Sequence, residues 1–171
     1  SSSEPPSPLP PQLGVLTLAA ALRRNGRGDA AGPLEELATR TLADFQRLLL
    51  PDGTLTGFAY FHDDGRVDYL LHPRDRVTGM SYSLLPMIHA IINGMLTAEQ
   101  ARTHVEFMRA HLLCPDGAHL FDRPPQYRGG EQRFFQRAES STYFGREIGI
   151  MYMHAHLRYA EAMAMWGDAD A

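Results

Sequence analysis

Two Pro-Asp-Gly triplets, at residues 51–53 and 115–117, constrain this chain more than any other feature. Proline removes a backbone donor and clashes with a preceding helical turn, and Asp-Gly favours a reversal, so each triplet stops a helix. Before each triplet, apolar residues recur at spacings of three and four. Leu34, Leu37, Ala38, Leu42, Phe45 and Leu49 form one such stripe; Ala101, Val105, Met108 and Leu112 form the other. That period is a helix with one buried face. The chain is therefore expected to fold as short helices that bury stripes against one another.

Further helices are predicted over 13–24, over 81–94 with Pro86 in the first turn, and from about Arg146 to Trp166. Residues 26–32 read as a break, after which Pro33 is expected as the first residue of its helix, with Glu35 and Glu36 favouring the positive end. Thr97 and Gln100 have the spacing of a capping box, which sets the start of the second striped helix. Its end is expected near residue 113. Residues 57–71 change character and read as a β-hairpin turning at Asp64-Gly65. Residues 118–145, with paired prolines, paired glycines and interleaved Arg and aromatics, read as one long loop, and a loop of that length usually has a function.

Composition narrows the function classes. All sixteen basic residues are arginine, and the net charge is -4, the wrong balance for a general nucleic-acid binder. The single cysteine, Cys114, excludes an internal disulfide, and the chain leans towards the cytoplasm. No apolar run is long enough for a membrane span. Residues 1–11 are proline-rich and read as a linker; both ends read as those of a longer protein.

The chemistry is concentrated near the C-terminus. On the predicted last helix, Ile148, Tyr152, Ala155, Tyr159, Ala162 and Trp166 form an apolar face, while Glu147, His154 and Arg158 share another. Glu147 can accept hydrogen bonds from sugar hydroxyls, and His154 with Arg158 can donate to an anion; a structural ion-pair network fits the same three. His156 falls on a different face and reads as structural. The His-Ala-His triplet turns its imidazoles about 200° apart, and His72, His89, His104, His111 and His119 lack zinc-ligand spacing, so no metal is expected. Arg123, Arg128, Arg133, Arg137 and Arg146 stand among aromatics such as Tyr127. This mixture can stack on nucleic-acid bases, or on sugar faces while arginine holds hydroxyls or phosphate, which the acidic total favours, or else it ties the loop to its scaffold. The polar loop 72–82 offers His72, Arg74, Asp75, Arg76, Thr78 and Tyr82, either for a polar ligand or for local salt bridges. Asp63, Asp64 and Asp122 are candidate carboxylates, but none stands visibly opposite Glu147 as a hydrolase pair would. Serine-nucleophile, Walker and dinucleotide motifs are absent.

The order of these blocks resembles the C-terminal part of the catalytic domain in the inverting β-glycan phosphorylases of glycoside hydrolase family 94, most of all its 1,2-β-oligoglucan phosphorylase branch. The family motif ENGGxYTHAxxW is matched by Glu147, Gly149, Tyr152, His154 and Ala155, with Ile148 and Met153 departing from it, and the segment runs on to Trp166-Gly167-Asp168. Residues 52–65, 82–102 and 112–127 resemble further family blocks in the same order. The resemblance covers about residues 12–168 and implies an all-α fold, a partial (α/α)6 barrel with a small β-hairpin and long functional loops.

It also implies a mechanism. A carboxylic acid protonates the leaving oxygen while inorganic phosphate attacks the anomeric carbon, giving α-glucose 1-phosphate and a shortened β-1,2-glucan. Phosphate is a co-substrate, and no cofactor is implied. Glu147 is then expected to bind sugar, and His154, with Arg158 beside it, to lie near phosphate. Tyr152, Arg137 and Tyr127 are candidates for sugar and Arg146 for phosphate. The family's acid lies in a DWDD- or DWND-like stretch that this chain lacks, so no catalytic residue is expected here and the chain alone is expected to be inactive. Its expected partners are a β-glucan oligosaccharide, phosphate, and the rest of a parent polypeptide or a complementary chain, with neither nucleic acid nor membrane. A non-catalytic carbohydrate-binding or interaction domain, and an (α/α)6 glycoside hydrolase, are the alternatives.

Overall fold

A computed structural model describes residues 14–143 and 151–168 of the 171. The proline-rich start at 1–11 lies outside the described residues, as do Arg146, Glu147 and Ile148. The described part is mostly helical, with six helices and two small antiparallel hairpins.

Helices α1 (Gly14–Arg24) and α2 (Gly28–Leu48) form a helical hairpin around Asn25 and Gly26. Ala19, Ala31 and Ala38 are buried, and such small side chains let two helix backbones approach closely. Arg23 and Glu35 link the two helices by a two-pronged ion pair. Helix α2 begins at Gly28, five residues before Pro33, so Pro33 lies inside it rather than at its start. The helix runs through Pro33 despite the backbone hydrogen bond that proline deletes, with Ala31 buried in the preceding turn. Leu37, expected in the buried stripe, is exposed, and the deeper end of α2 reaches the core through Phe45 and Leu49.

That core is built by α3 (Leu84–Ile92), α4 (Ala98–His111) and α6 (Met153–Trp166). Leu84, Met87, Ile88 and Ile91 meet Val105, Met108 and Leu112 and, from α6, Ala155, Tyr159, Ala162 and Met163. The capping box forms as expected: Thr97 accepts from the Gln100 N–H, and the Gln100 side chain accepts from the Thr97 N–H at 2.9 Å. The Gln46 and Gln100 amides pair across to α2. Helix α4 stops at His111, earlier than expected, because residues 113–118 form a hairpin of their own, β3 (Leu113–Cys114) and β4 (Gly117–Ala118), around the second Pro-Asp-Gly triplet.

The last helix is also shorter than its periodicity predicts. Tyr152 is extended, with φ −104° and ψ 110°, and α6 starts at Met153. Met151 instead bridges to His119 beside the second hairpin. A continuous helix from Arg146 is therefore corrected, and with it the argument that helical spacing sets Glu147 on one face with His154 and Arg158. Pairing with the preceding segment competes with helix extension and wins at 151–152. Gly167, at φ +85°, ends α6 with the left-handed turn that glycine allows.

The first hairpin is as the sequence predicts. Strands β1 (Phe58–Phe61) and β2 (Val67–Leu70) pair antiparallel around Asp64-Gly65. The long segment 118–145 is not all loop: α5 (Arg137–Tyr143) interrupts it. No described helix is long and apolar enough to cross a membrane.

Candidate functional site

Carboxylates that accept backbone N–H groups shape the loops on the hairpin side of the core. Asp75 accepts from Leu71, Val77 and Thr78 and from the Thr78 hydroxyl, which rolls residues 71–78 into a compact turn. Leu71, at φ +55°, is part of that turn, and its side chain lies so close to Gly57 that a Cβ there would come within 2.6 Å. His72 is fully buried. Its Nδ1 accepts from the Arg74 N–H, so Nε2 donates to Asp52 at 3.1 Å, while the Arg74 guanidinium is ion-paired with the other Asp52 oxygen at 2.9 Å. Burial works to raise the Asp52 carboxyl, but the Thr54 N–H, His72 and Arg74 outweigh it and hold the group below the usual carboxylate range. Asp122 accepts from the Ser81 and Tyr82 N–H groups and pins the start of α3 to the long segment. His72, Asp75, Thr78 and Asp122 are thus committed to internal bonds that fix the loops.

A second carboxylate-centred turn lies in residues 133–139. Glu139, only 7% exposed, accepts from the N–H groups of Arg133 at 2.9 Å, Phe134 at 2.5 Å and Phe135 at 2.7 Å. Burial again works to raise this carboxyl, and the three donors prevail and lower it. The Glu139 signal is absent from the sequence pattern, since its partners lie in an irregular stretch that includes Gln136 at φ +50°. A glutamate near the start of a short helix, turned back to the preceding N–H groups, is the one local hint.

These loops enclose a cleft of about 600 Å³. Val77, Thr78 and Met80 line it from one loop, and Tyr127, Arg128, Arg133, Phe134 and Glu139 from the long segment. The Tyr127 hydroxyl donates to the Gly130 carbonyl at 2.7 Å, across Gly129 and Gly130, both left-handed at φ +88° and +97°. The paired glycines therefore make the turn that holds Tyr127 at the rim. A neighbouring hollow of about 390 Å³ shares Val77, Arg133 and Phe134 and extends to Tyr60, His62 and Asp68 on the first hairpin. There Asp68 Oδ2 lies 2.7 Å from His62 Nε2, and Tyr60 meets the imidazole edge-on. Cationic guanidinium groups and aromatic faces around one opening suit a polyhydroxylated or anionic ligand better than an apolar one.

The other expected residues lie elsewhere. Arg137 opens α5. Tyr152 and His154 are exposed at the start of α6, with ring centroids 6.3 Å apart. Arg158 is ion-paired to Glu161 one turn on. None of these four lines the cleft with Tyr127. His156 does pack structurally: its Nδ1 accepts from the Ala118 N–H at 3.2 Å. Among the described residues, one group brings three possible metal ligands together, Cys114, Asp116 and His119.

No family model matches the chain. Over 138 residues, 80% of its length, the chain is 38% identical to the 1,2-beta-oligoglucan phosphorylase of Listeria innocua serovar 6a; the match spans 13% of that protein. At the level of the family, the chain is a distant homologue of one segment of a β-oligoglucan phosphorylase.

Proposed function

We propose that this chain is a segment of an inverting phosphorylase of glycoside hydrolase family 94 that cleaves β-1,2-gluco-oligosaccharides with inorganic phosphate, yielding α-glucose 1-phosphate. The observation that carries the reading is the 38% identity to an oligoglucan phosphorylase across a stretch that includes the arginine- and aromatic-lined cleft. In this reading the cleft binds glucan. Tyr127 offers a ring face, Arg133 offers donors to hydroxyls, and Arg137 stands at the adjoining start of α5. Tyr152 and Glu147 serve sugar, and His154, Arg158 and Arg146 serve phosphate, in a site completed by the rest of a longer polypeptide or by a complementary chain. Phosphate is the nucleophile, so a single protein carboxylic acid suffices for the leaving oxygen. That acid is assigned to a part of the parent outside these residues, and the partial helical array is one portion of an (α/α)6 barrel.

The test is phosphorolysis. The parent protein is expected to release glucose 1-phosphate from β-1,2-gluco-oligosaccharides only when phosphate is present, and the present chain alone to release none. Release of free glucose without phosphate would replace this reading with a hydrolase. A non-catalytic carbohydrate-binding domain is the second reading. It is favoured by the state of Glu139, the buried carboxylate at the cleft, both of whose oxygens are engaged by backbone donors. A parent that binds the oligosaccharide and turns it over under neither condition selects that reading.

A further inference from the structure

The second hairpin carries a group of side chains that the glucan reading does not use. Cys114, Asp116 and His119 each offer one donor atom, and the three atoms lie within 4.8 Å of one another. Strand pairing explains the convergence. Cys114 is opposite Gly117, and His119 donates its N–H to the Leu112 carbonyl, one step further along the ladder. Residues 112 and 114 point to the same side of their strand, and directly opposed residues share a side, so His119 and Cys114 sit diagonally on one face of the hairpin. Asp116, in the turn, reaches over that face, and its Oδ1 meets His119 Nε2 at 2.8 Å.

The turn is held from outside. Gly117 has φ +126°, and a Cβ there would come within 2.7 Å of Met151 Cγ, so the reversal has little freedom to open towards that side. The His119–Met151 bridge and the bond from the Ala118 N–H to His156 fix the outgoing strand. Cys114 and His119 are half-buried, so their desolvation is already partly complete.

We propose that Cys114, Asp116 and His119 form a binding site for a divalent, borderline-soft cation of the zinc class. One thiolate, one imidazole and one carboxylate are a mixed sulfur, nitrogen and oxygen set that zinc accepts, with a fourth tetrahedral position left to water. Ligand atoms around tetrahedral zinc stand about 3.3–3.8 Å apart, so side-chain rotation would draw the Cys114 sulfur in by at most about 1.5 Å and part the Asp116–His119 pair from 2.8 Å by about half an ångström. The Cys114 S–H gives its proton to solvent as the sulfur–metal bond forms, and the His119–Asp116 hydrogen bond is exchanged for two metal bonds. The ion would tie the hairpin turn together beside Met151, two residues before α6 begins. The spacing Cys-x-Asp-x-x-His escapes a search for helical or zinc-finger patterns because a tight turn, not a helix, brings the ligands together.

Titration of the reduced chain with Co²⁺ tests this, because the sequence has one cysteine and a thiolate-to-cobalt charge-transfer band reports Cys114 alone. The band is expected to saturate at one Co²⁺ per chain, with the visible bands of tetrahedral cobalt, and to vanish on adding Zn²⁺. Cys114→Ser removes the charge-transfer band, and His119→Ala and Asp116→Asn each weaken Co²⁺ binding at least tenfold, about 1.4 kcal/mol. The assignment is overturned by absence of the band at saturating Co²⁺, by one ion per two chains, or by a midpoint unchanged in both His119→Ala and Asp116→Asn. The parent chain's spectrum and stoichiometry decide the matter even where a variant folds poorly.

Discussion

Replacing Glu139 with glutamine tests whether one carboxylate holds the loop that lines the cleft. In the native loop, Oε1 accepts from Phe134 and Phe135 and Oε2 accepts from Arg133. The amide oxygen of glutamine can keep the first two bonds, but its NH₂ faces the Arg133 N–H, donor against donor. One charge-assisted bond, about 1.5–3 kcal/mol, is lost, and two more fall from charged to neutral strength, about 1 kcal/mol each. Local opening of residues 133–136 should therefore become easier by roughly 3.5–5 kcal/mol, which corresponds to about 400- to 5,000-fold faster amide exchange. Global unfolding should change less, because α5 lies outside the main core cluster. Hydrogen exchange of peptides covering 131–136, compared between native chain and Glu139→Gln at neutral pH, reads this directly. The native group's carboxyl is lowered, so its stabilisation is complete above the ordinary glutamate range and is lost as pH falls through the depressed folded value. Corrected for intrinsic rates, native and variant exchange should converge on strong acidification. Equal protection of Arg133, Phe134 and Phe135 in both proteins at neutral pH would refute the reasoning.

Other outcomes follow from the core. His104 is fully buried, with Nε2 accepting from the Leu55 N–H at 2.9 Å and Nδ1 donating to the Gln100 carbonyl at 2.6 Å. Burial lowers its basicity, partly opposed by the Gln100 bond, so its contribution is complete above the unfolded value of about 6.5 and is lost as pH falls through the folded one. Urea midpoints should drop between neutral and mildly acidic pH in the native chain, and this step should be absent in His104→Leu, whose stability at neutral pH falls by about 1–3 kcal/mol for the unpaired Leu55 N–H. A persisting acid step of the same size would assign it to another group. Gly117→Ala combines a left-handed backbone with a 2.7 Å collision against Met151, and should lower the thermal midpoint by several degrees, whereas Gly53→Ala, with open space around it, should lower it less.

Much of the helical frame was legible because its signals are local. The Thr97–Gln100 box, the stripe of Ala101, Val105, Met108 and Leu112, and the Asp64-Gly65 turn each depend on residues a few positions apart, and each is seen in the structure. The errors fall where a distant partner outbid local preference. Pro33 lies inside α2, whose early turns pack against α1, and α6 begins at Met153, next to the bridge from Met151 to His119. The arginine and aromatic content of the 121–137 stretch marked it as a binding segment, yet nothing in the pattern paired it with the 77–80 loop.

The sequence by itself determined the helix-forming segments, the turns that separate them, the negative balance with arginine as its only strong base, and the resemblance to a phosphorylase segment. Tertiary structure decided which of those chemical groups remain available. Asp75, Asp122, His72 and Glu139 look alike in sequence to groups that would meet a ligand, but each satisfies buried backbone or side-chain partners and so shapes the walls. Tyr127 and Arg133 are left at the cleft, and Cys114, Asp116 and His119 are brought to one turn. The reason is physical: hydrogen-bond satisfaction and strand register are settled only once the chain has closed on itself, and neither leaves a periodic trace in the order of residues.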